Sequence, residues 1–284
     1  MVGMSSTDSH DAHTSGTPAL ALTIAGSEAT GGAGAQADLK TFQELGAFGM
    51  VALTCIVAFD PKDDWNHRFV PVQQDVIAHQ LEAIQADYAG TLKTTKLGMM
   101  GSPETISTVA TALKAQEWDH VVLDPVLICK GQEPGHALDT DRALKAELLP
   151  LATFTTPNHF ESEQLSGVQI RTLDDLKEAA QRIHEVSGAA VLAKGGIRLD
   201  GPDAQDVFYD GETLEVLSAP KIGDHAVSGA GCSLAAAVTA ELAKGATPLQ
   251  AARRAKEFVT EGIKQRVAGN TPFDALWQGG LRRA

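Results

Sequence analysis

Ile222-Gly-Asp224-His-Ala-Val-Ser228-Gly229-Ala230-Gly231-Cys232-Ser233 runs without a break into Leu234-Ala-Ala-Ala-Val-Thr-Ala-Glu-Leu-Ala-Lys244-Gly245. The stretch predicts an irregular loop, a glycine step, and a helix from about Gly231 to Gly245. Gly229 and Gly231 remove side chains where the helix begins, so its first N–H groups stand open to an incoming group. Those N–H groups have no intrahelical partner, and the helix dipole adds partial positive charge, so an anion fits there. Cys232 falls in the first turn, where the same field is expected to lower a thiol pKa. Small residues that merely pack an Ala-rich helix against a sheet would read the same way, so the remaining chain has to decide.

Working outward, short apolar runs alternate with helical periodicity. Strands are predicted at Ala19–Ile24, Met50–Phe59, Thr95–Met99, His120–Asp124, Leu151–Thr155 and Ala190–Ala193. A hairpin is expected around Asp210-Gly211. Between these runs lie predicted helices through Gln36–Leu45 and Gln73–Tyr88, one capped by Ser102 with Pro103, and one capped by Thr172. Thr247-Pro-Leu-Gln250 opens the last helix with a capping box. Lys62–His67 and Val126–Thr140 read as polar loops. The alternation predicts one α/β domain over residues 18–284: a three-layer α/β/α sandwich with a mostly parallel sheet. Residues 1–17 lack the apolar stretch of a signal peptide and are expected to be a disordered tail.

A net charge of −13 argues against nucleic acid or an anionic membrane as main partner. No apolar run reaches a membrane span. Cys55, Cys129 and Cys232 are too few and too scattered for a disulfide framework or zinc cluster, which points to a reducing cytoplasm.

In an open α/β sheet, ligands bind outside the carboxyl ends of the strands. The unusual polar clusters all fall there: Gly26–Gly34, Asp60, Asp124, Asn158 with Glu161, Lys194-Gly-Gly196, and Gly229–Cys232. Gly32-Ala-Gly34-Ala-Gln-Ala37 fits a dinucleotide fingerprint, but no acidic residue ends the next strand at the right distance. No Gly-x4-Gly-Lys-Ser/Thr occurs, so a P-loop is excluded.

Ala25–Thr41, Leu123-Asp-Pro-Val126, Leu151–Asn158 and Gly229-Ala-Gly-Cys232 resemble the ribokinase-like vitamin kinases, over about residues 18–267. That branch holds hydroxymethylpyrimidine kinases of thiamine synthesis and dual-cysteine pyridoxal kinases. Ala58–His67 and Cys129-Lys-Gly131 are similar to the second group, with Phe59 where the pyrimidine kinases carry a Gln. The resemblance implies phosphoryl transfer from Mg-ATP to a hydroxymethyl group on pyridoxal, pyridoxine or pyridoxamine. It implies Cys232 as proton acceptor within Gly229, Ala230 and Gly231, and Asp124 and Glu161 organising Mg2+ through waters. Asn158 assists the metal, and Lys194 meets the ATP phosphates. Ser27, Glu28, Phe59 and His67 line the ring pocket. Cys129 on a lid loop adds to the pyridoxal aldehyde as a hemithioacetal, with Lys130 and Gly131 aiding closure. Cys55 is expected in the core, and a homodimer is expected. Departures from the family pattern are Glu28 for Asp, Val227-Ser228 for Thr-His, and Ser233 for Thr. Outside this family, a Rossmann oxidoreductase and a non-catalytic nucleotide- or vitamer-binding protein are the rival classes.

Overall fold

The computed structural model describes residues 16–127 and 134–283, with backbone alone for 134–137. Its strands are β1 (Ala19–Glu28), β2 (Ala47–Asp60), β3 (Asn66–Pro71), β4 (Thr94–Leu97), β5 (His120–Leu123), β6 (Phe154–Thr155), β7 (Ala190–Lys194), β8 (Asp203–Tyr209) and β9 (Leu214–Pro220). The helices are α1 (Gly34–Glu44), α2 (Gln74–Asp87), α3 (Pro103–Lys114), α4 (Pro134–Ala143), α5 (His159–Ser166), α6 (Leu173–Ser187), α7 (Ala230–Ala243) and α8 (Pro248–Lys264).

The strands form one sheet in the order β3-β2-β1-β4-β5-β6-β7-β8-β9. From β2 to β7 the pairing is parallel, and β3, β8 and β9 join antiparallel at the two edges. Side chains of the central strands alternate between two apolar layers, as a period of two requires. Ala21, Val122, Leu192 and Phe208 face α1, α7 and α8. Leu22, Ile24, Val121 and Leu123 face α2, α3 and the turns at 144–149. A third cluster packs α6 on Val191, Ala193 and Val207. The mostly parallel three-layer expectation is met. Among the described residues, no helix is long and apolar enough to cross a membrane.

The chain leaves β1 toward β2 on one side and later returns to β4 on the other. This reversal opens a crevice beyond the carboxyl ends of β1 and β4, the place where open α/β sheets bind ligands. Three expectations change in detail. Of the predicted loop Lys62–His67, Lys62–Trp65 is the tip of a β2–β3 hairpin, tightened by Asp64 and Trp65 at positive φ, and Asn66 and His67 belong to β3. The predicted strand from Leu151 shrinks to Phe154–Thr155, because Leu149–Leu151 closes a 3-10 turn. The predicted loop Val126–Thr140 ends in α4.

Candidate active site

The glycine turn after β1 is shaped from within. Gly26 sits opposite both Thr54 and Cys55 in a β-bulge, since Ala25 pairs with Leu53 but Ser27 with Ile56. A Cβ on Gly26 would stand 2.5 Å from the Cys55 sulfur, so only glycine lets the strands close there. Cys55 itself is buried in the core, as expected. Glu28 is also buried and folds the turn around its own carboxylate. Oε1 accepts the Thr30 N–H at 2.6 Å, and Oε2 accepts the Thr30 hydroxyl at 2.8 Å and the N–H groups of Gly32 and Ala33 at 3.1 and 3.2 Å. Gln36 on α1 completes the cluster, accepting the Glu28 N–H at 2.9 Å and donating to the Ser27 hydroxyl at 2.7 Å. Glu28 therefore acts on the loop that edges the crevice, and Ser27 is held by an amide that the sequence reading did not single out.

Helix α7 begins against this turn. Gly229 is its N-cap, with φ 75° and no side-chain cap; the Ala230 N–H donates to the Val227 carbonyl at 3.3 Å, leaving those of Gly229 and Gly231 for an outside partner. Ser228, just before it, is clamped by the C-terminal segment: its N–H donates to the Asp274 carbonyl at 2.9 Å, and its carbonyl accepts the Leu276 N–H at 3.0 Å. Cys232 lies in the first turn, as expected, but its thiol is not acidic. Burial pushes it up to about 11, helped by Asp38 and Asp124, while Lys96 and the Gly34 N–H pull the other way. An edge of the residue still reaches solvent. The helix-terminus rule thus loses to desolvation here.

Beneath this turn is a wholly buried ion pair invisible to local sequence reading. Lys96 Nζ lies 2.8 Å from Asp38 Oδ2, and both side chains are 0% exposed. Thr23 donates to the same oxygen at 2.6 Å. Burial opposes the Lys96 charge, but Asp38 first, then Cys232 and Asp124, hold the ammonium above its ordinary range.

Lys194, at the end of β7, meets Asp124 at 3.4 Å with both side chains mostly buried. Its ammonium also overlies α7, 3.4 Å from where a Gly231 Cβ would be. Burial works against the Lys194 charge, yet Asp124 and Glu161 outweigh it and raise its pKa. Thr156 donates to Asp124 Oδ1 at 3.3 Å. Asn158 and Glu161 form a capping box for α5: the Asn158 N–H reaches Glu161 Oε2 at 2.7 Å, and the Glu161 N–H reaches Asn158 Oδ1 at 3.0 Å. The Asn-x-x-Glu spacing carried that signal. Burial, with Asp124 nearby, pushes the Glu161 carboxyl up to about 7. Two buried carboxylates side by side form a donor set suited to a divalent cation. Among the described residues, no three acidic, His or Cys side chains gather into a metal cage. A pair of carboxylates fits Mg2+, which keeps most of its waters and takes further oxygens from phosphates.

The crevice wall on the hairpin side is aromatic. Phe59 and His67 meet edge-on at 4.7 Å, and Phe59 meets Phe273 at 5.2 Å. Phe273 comes from the C-terminal segment and was not anticipated. Cys129, Lys130 and Gly131, like most of the predicted tail, lie outside the described residues.

The profile of the phosphomethylpyrimidine kinase family matches residues 28–274. The chain belongs to this family. Within reach of it is the pyridoxine kinase of Bacillus subtilis, 48% identical over 250 residues, which span 86% of this chain and 90% of that protein. A pyridoxal kinase from Staphylococcus aureus, solved in complex with AMP-PCP and pyridoxal, superposes with a TM-score of 0.86 at 40% identity, covering 94% of this chain and 96% of that one. The hydroxymethylpyrimidine/phosphomethylpyrimidine kinase of Bacillus subtilis is 37% identical over 247 residues, 86% of this chain and 89% of that protein. The fold is therefore that of a ribokinase-like vitamin kinase.

Proposed function

We propose that this chain is an ATP-dependent pyridoxal kinase, transferring the γ-phosphoryl group of ATP to the hydroxymethyl group of pyridoxal, pyridoxine or pyridoxamine. One observation carries the reading. The open N-terminus of α7, with Cys232 in its first turn, converges with the buried Lys194–Asp124–Glu161 cluster beyond the carboxyl ends of the parallel strands. Phosphoryl transfer needs positioning and offsetting of charge more than covalent chemistry.

The N–H groups at Gly229 and Gly231 bind the oxygens of the moving phosphoryl group, with Ala230 spacing them. Lys194 holds the ATP phosphates against them. Asp124 and Glu161 would hold Mg2+, with the Asn158 N–H fixing the Glu161 carboxylate. Bound there, the ion offsets charge on the phosphates. Cys232 takes the hydroxymethyl proton in its thiolate form, which is a small fraction at neutral pH and is favoured by the Lys96 ammonium beneath it. Phe59 and His67 stack the ring edge, while Ser27 and the Glu28 turn hold its polar side. Cys129 adds to the aldehyde as a hemithioacetal, and Lys130 supplies positive charge.

A second reading, hydroxymethylpyrimidine kinase, has the family profile behind it, and dual activity would satisfy both. Phe59 tells against it, because a phenyl ring cannot read pyrimidine nitrogens by hydrogen bonds as an amide does. Free Cys55 and Cys232 fit a cytoplasmic setting. Half-exposed Ile56 and Val70, paired across β2 and β3, offer an apolar edge to a second copy in a homodimer. The deciding experiment measures ATP consumption with pyridoxal, pyridoxine and hydroxymethylpyrimidine side by side. Turnover of the two B6 vitamers is expected, and turnover of the pyrimidine alone would overturn the reading.

A further inference from the structure

Behind Lys194 lies a buried ion pair that the roles above leave unused. Asp206 on β8 faces Lys194 across the antiparallel ladder and is 3% exposed. Its Oδ1 accepts the N–H groups of Gly195 and Gly196 at 3.1 and 3.4 Å. Its Oδ2 takes Lys256 Nζ at 2.7 Å, and that ammonium, from α8, also donates to the Ala204 carbonyl at 2.8 Å. The two glycines mark where β7 ends. A Cβ on Gly195 would stand 2.4 Å from the Gln205 carbonyl oxygen, and Gly196 has φ 52°.

A buried ion pair is weak evidence for stability, since apolar residues of similar volume often serve as well. What an apolar pair cannot do is accept two consecutive backbone N–H groups and so dictate the direction of a turn. We propose that Asp206, held in place by Lys256, is a positioning residue for phosphoryl transfer. It fixes the Gly195-Gly196 turn and thereby the line along which Lys194 reaches Asp124 and the N-terminus of α7. The inference rests on the reading of Lys194 as the cation that meets the ATP phosphates. The convergence is narrow: Lys194 Nζ sits 3.4 Å from Asp124 and is equally near the Gly231 Cβ direction. Misplacement by about 1 Å is enough to cost on the order of 100-fold in rate.

The test compares steady-state kinetics and thermal unfolding of the full chain carrying Asp206→Ala, Asp206→Asn, Lys256→Met, Lys256→Arg or Lys194→Met. Asp206→Ala and Lys256→Met are expected to raise the KM for ATP about tenfold and lower kcat, the size of losing charge-assisted hydrogen bonds. The KM for pyridoxal should stay within about twofold, a split that a purely structural role would not produce. Asp206→Asn keeps an oxygen for the glycine N–H groups and should be milder, and Lys256→Arg should restore most of the loss. If Asp206→Ala fails to fold, Asp206→Asn and Lys256→Met decide. An unchanged ATP KM in these folded variants overturns the proposal, as do both KM values rising together with a fall in Tm. Lys194→Met separates the two readings. If it leaves ATP kinetics untouched, the role of Lys194 fails and the positioning idea falls with it. If it impairs them while the Asp206 and Lys256 variants do not, only the positioning idea falls.

Discussion

Gly229 and Gly32 touch through their backbones: a Cβ added at Gly229 would stand 1.7 Å from the Gly32 carbonyl oxygen. The glycine that opens α7 is thus pressed against the turn that follows β1, and the two loops form one surface. Gly229→Ala has no room to relax, because the obstacle is backbone and φ is 75°. Strain and overpacking together should cost about 3 kcal/mol or displace the helix start. Gly245→Ala is the control, with φ 90° but nothing within 4 Å, and should cost about 1 kcal/mol. Equal loss of Tm and of kcat/KM in the two variants would show that the Gly229 contact is unimportant.

Cys232→Ala should lower kcat by about 10²–10⁴-fold while ATP binding persists. Because burial holds the thiol near 11, the reactive thiolate grows with pH throughout the accessible range. Wild-type kcat with pyridoxal should therefore climb from pH 7 toward 10, by up to about tenfold per unit, and the alanine variant should lose that slope. A flat wild-type profile would mean that the proton leaves by another route.

Glu161 has a folded-state pKa of about 7, above its ordinary 4.5. Its protonation contributes stability that is full below 4.5 and is lost as pH rises through about 7. Glu161→Gln is neutral at every pH and keeps an oxygen for the Asn158 N–H. Without ligands, the variant should be the more stable at pH 8, by up to about 3 kcal/mol, with the gap shrinking as pH falls toward 5. The same variant should need more Mg2+ for half-maximal rate. Thermal unfolding that finds wild type the more stable at pH 8 would remove the assignment of a costly buried carboxylate.

Cys129→Ala should reduce kcat/KM for pyridoxal far more than for pyridoxine. The two vitamers share ring and phosphorylated hydroxymethyl, so ATP, metal and Cys232 contributions cancel. Only the aldehyde differs, and only a thiol adduct uses it. Equal reductions, with no spectral change on adding pyridoxal to wild type, would leave Cys129 without a covalent role.

Much of this architecture was legible because it is local. Strand–helix alternation foretold the layered sheet, and Thr172 and Thr247 cap α6 and α8 through the boxes their sequences spell. β3 was missed because an edge strand of Asn66-His-Arg-Phe-Val-Pro71 has little apolar alternation, Val70 being 59% exposed. Lys96 carried no local signal, because its partner Asp38 lies on a helix 58 residues back in the chain. Phe273 faces Phe59 only because the C-terminal segment folds over the crevice. The Cys232 thiol failed expectation for a related reason: a field rule read from neighbours in sequence cannot count the groups that enclose it in space.

The clamp on Ser228 has a bearing on synthesis. The residues that hold the loop before α7, Asp274 and Leu276, are translated long after the Glu28 turn they help to press together. A ribosome-bound chain can pair β1 with β2 and β4 early, since those contacts are already available. It cannot seat the start of α7 until the C-terminal segment has emerged. Chains stopped before Asp274 are expected to hold much of the sheet yet consume no ATP, so turnover reports the arrival of the final segment.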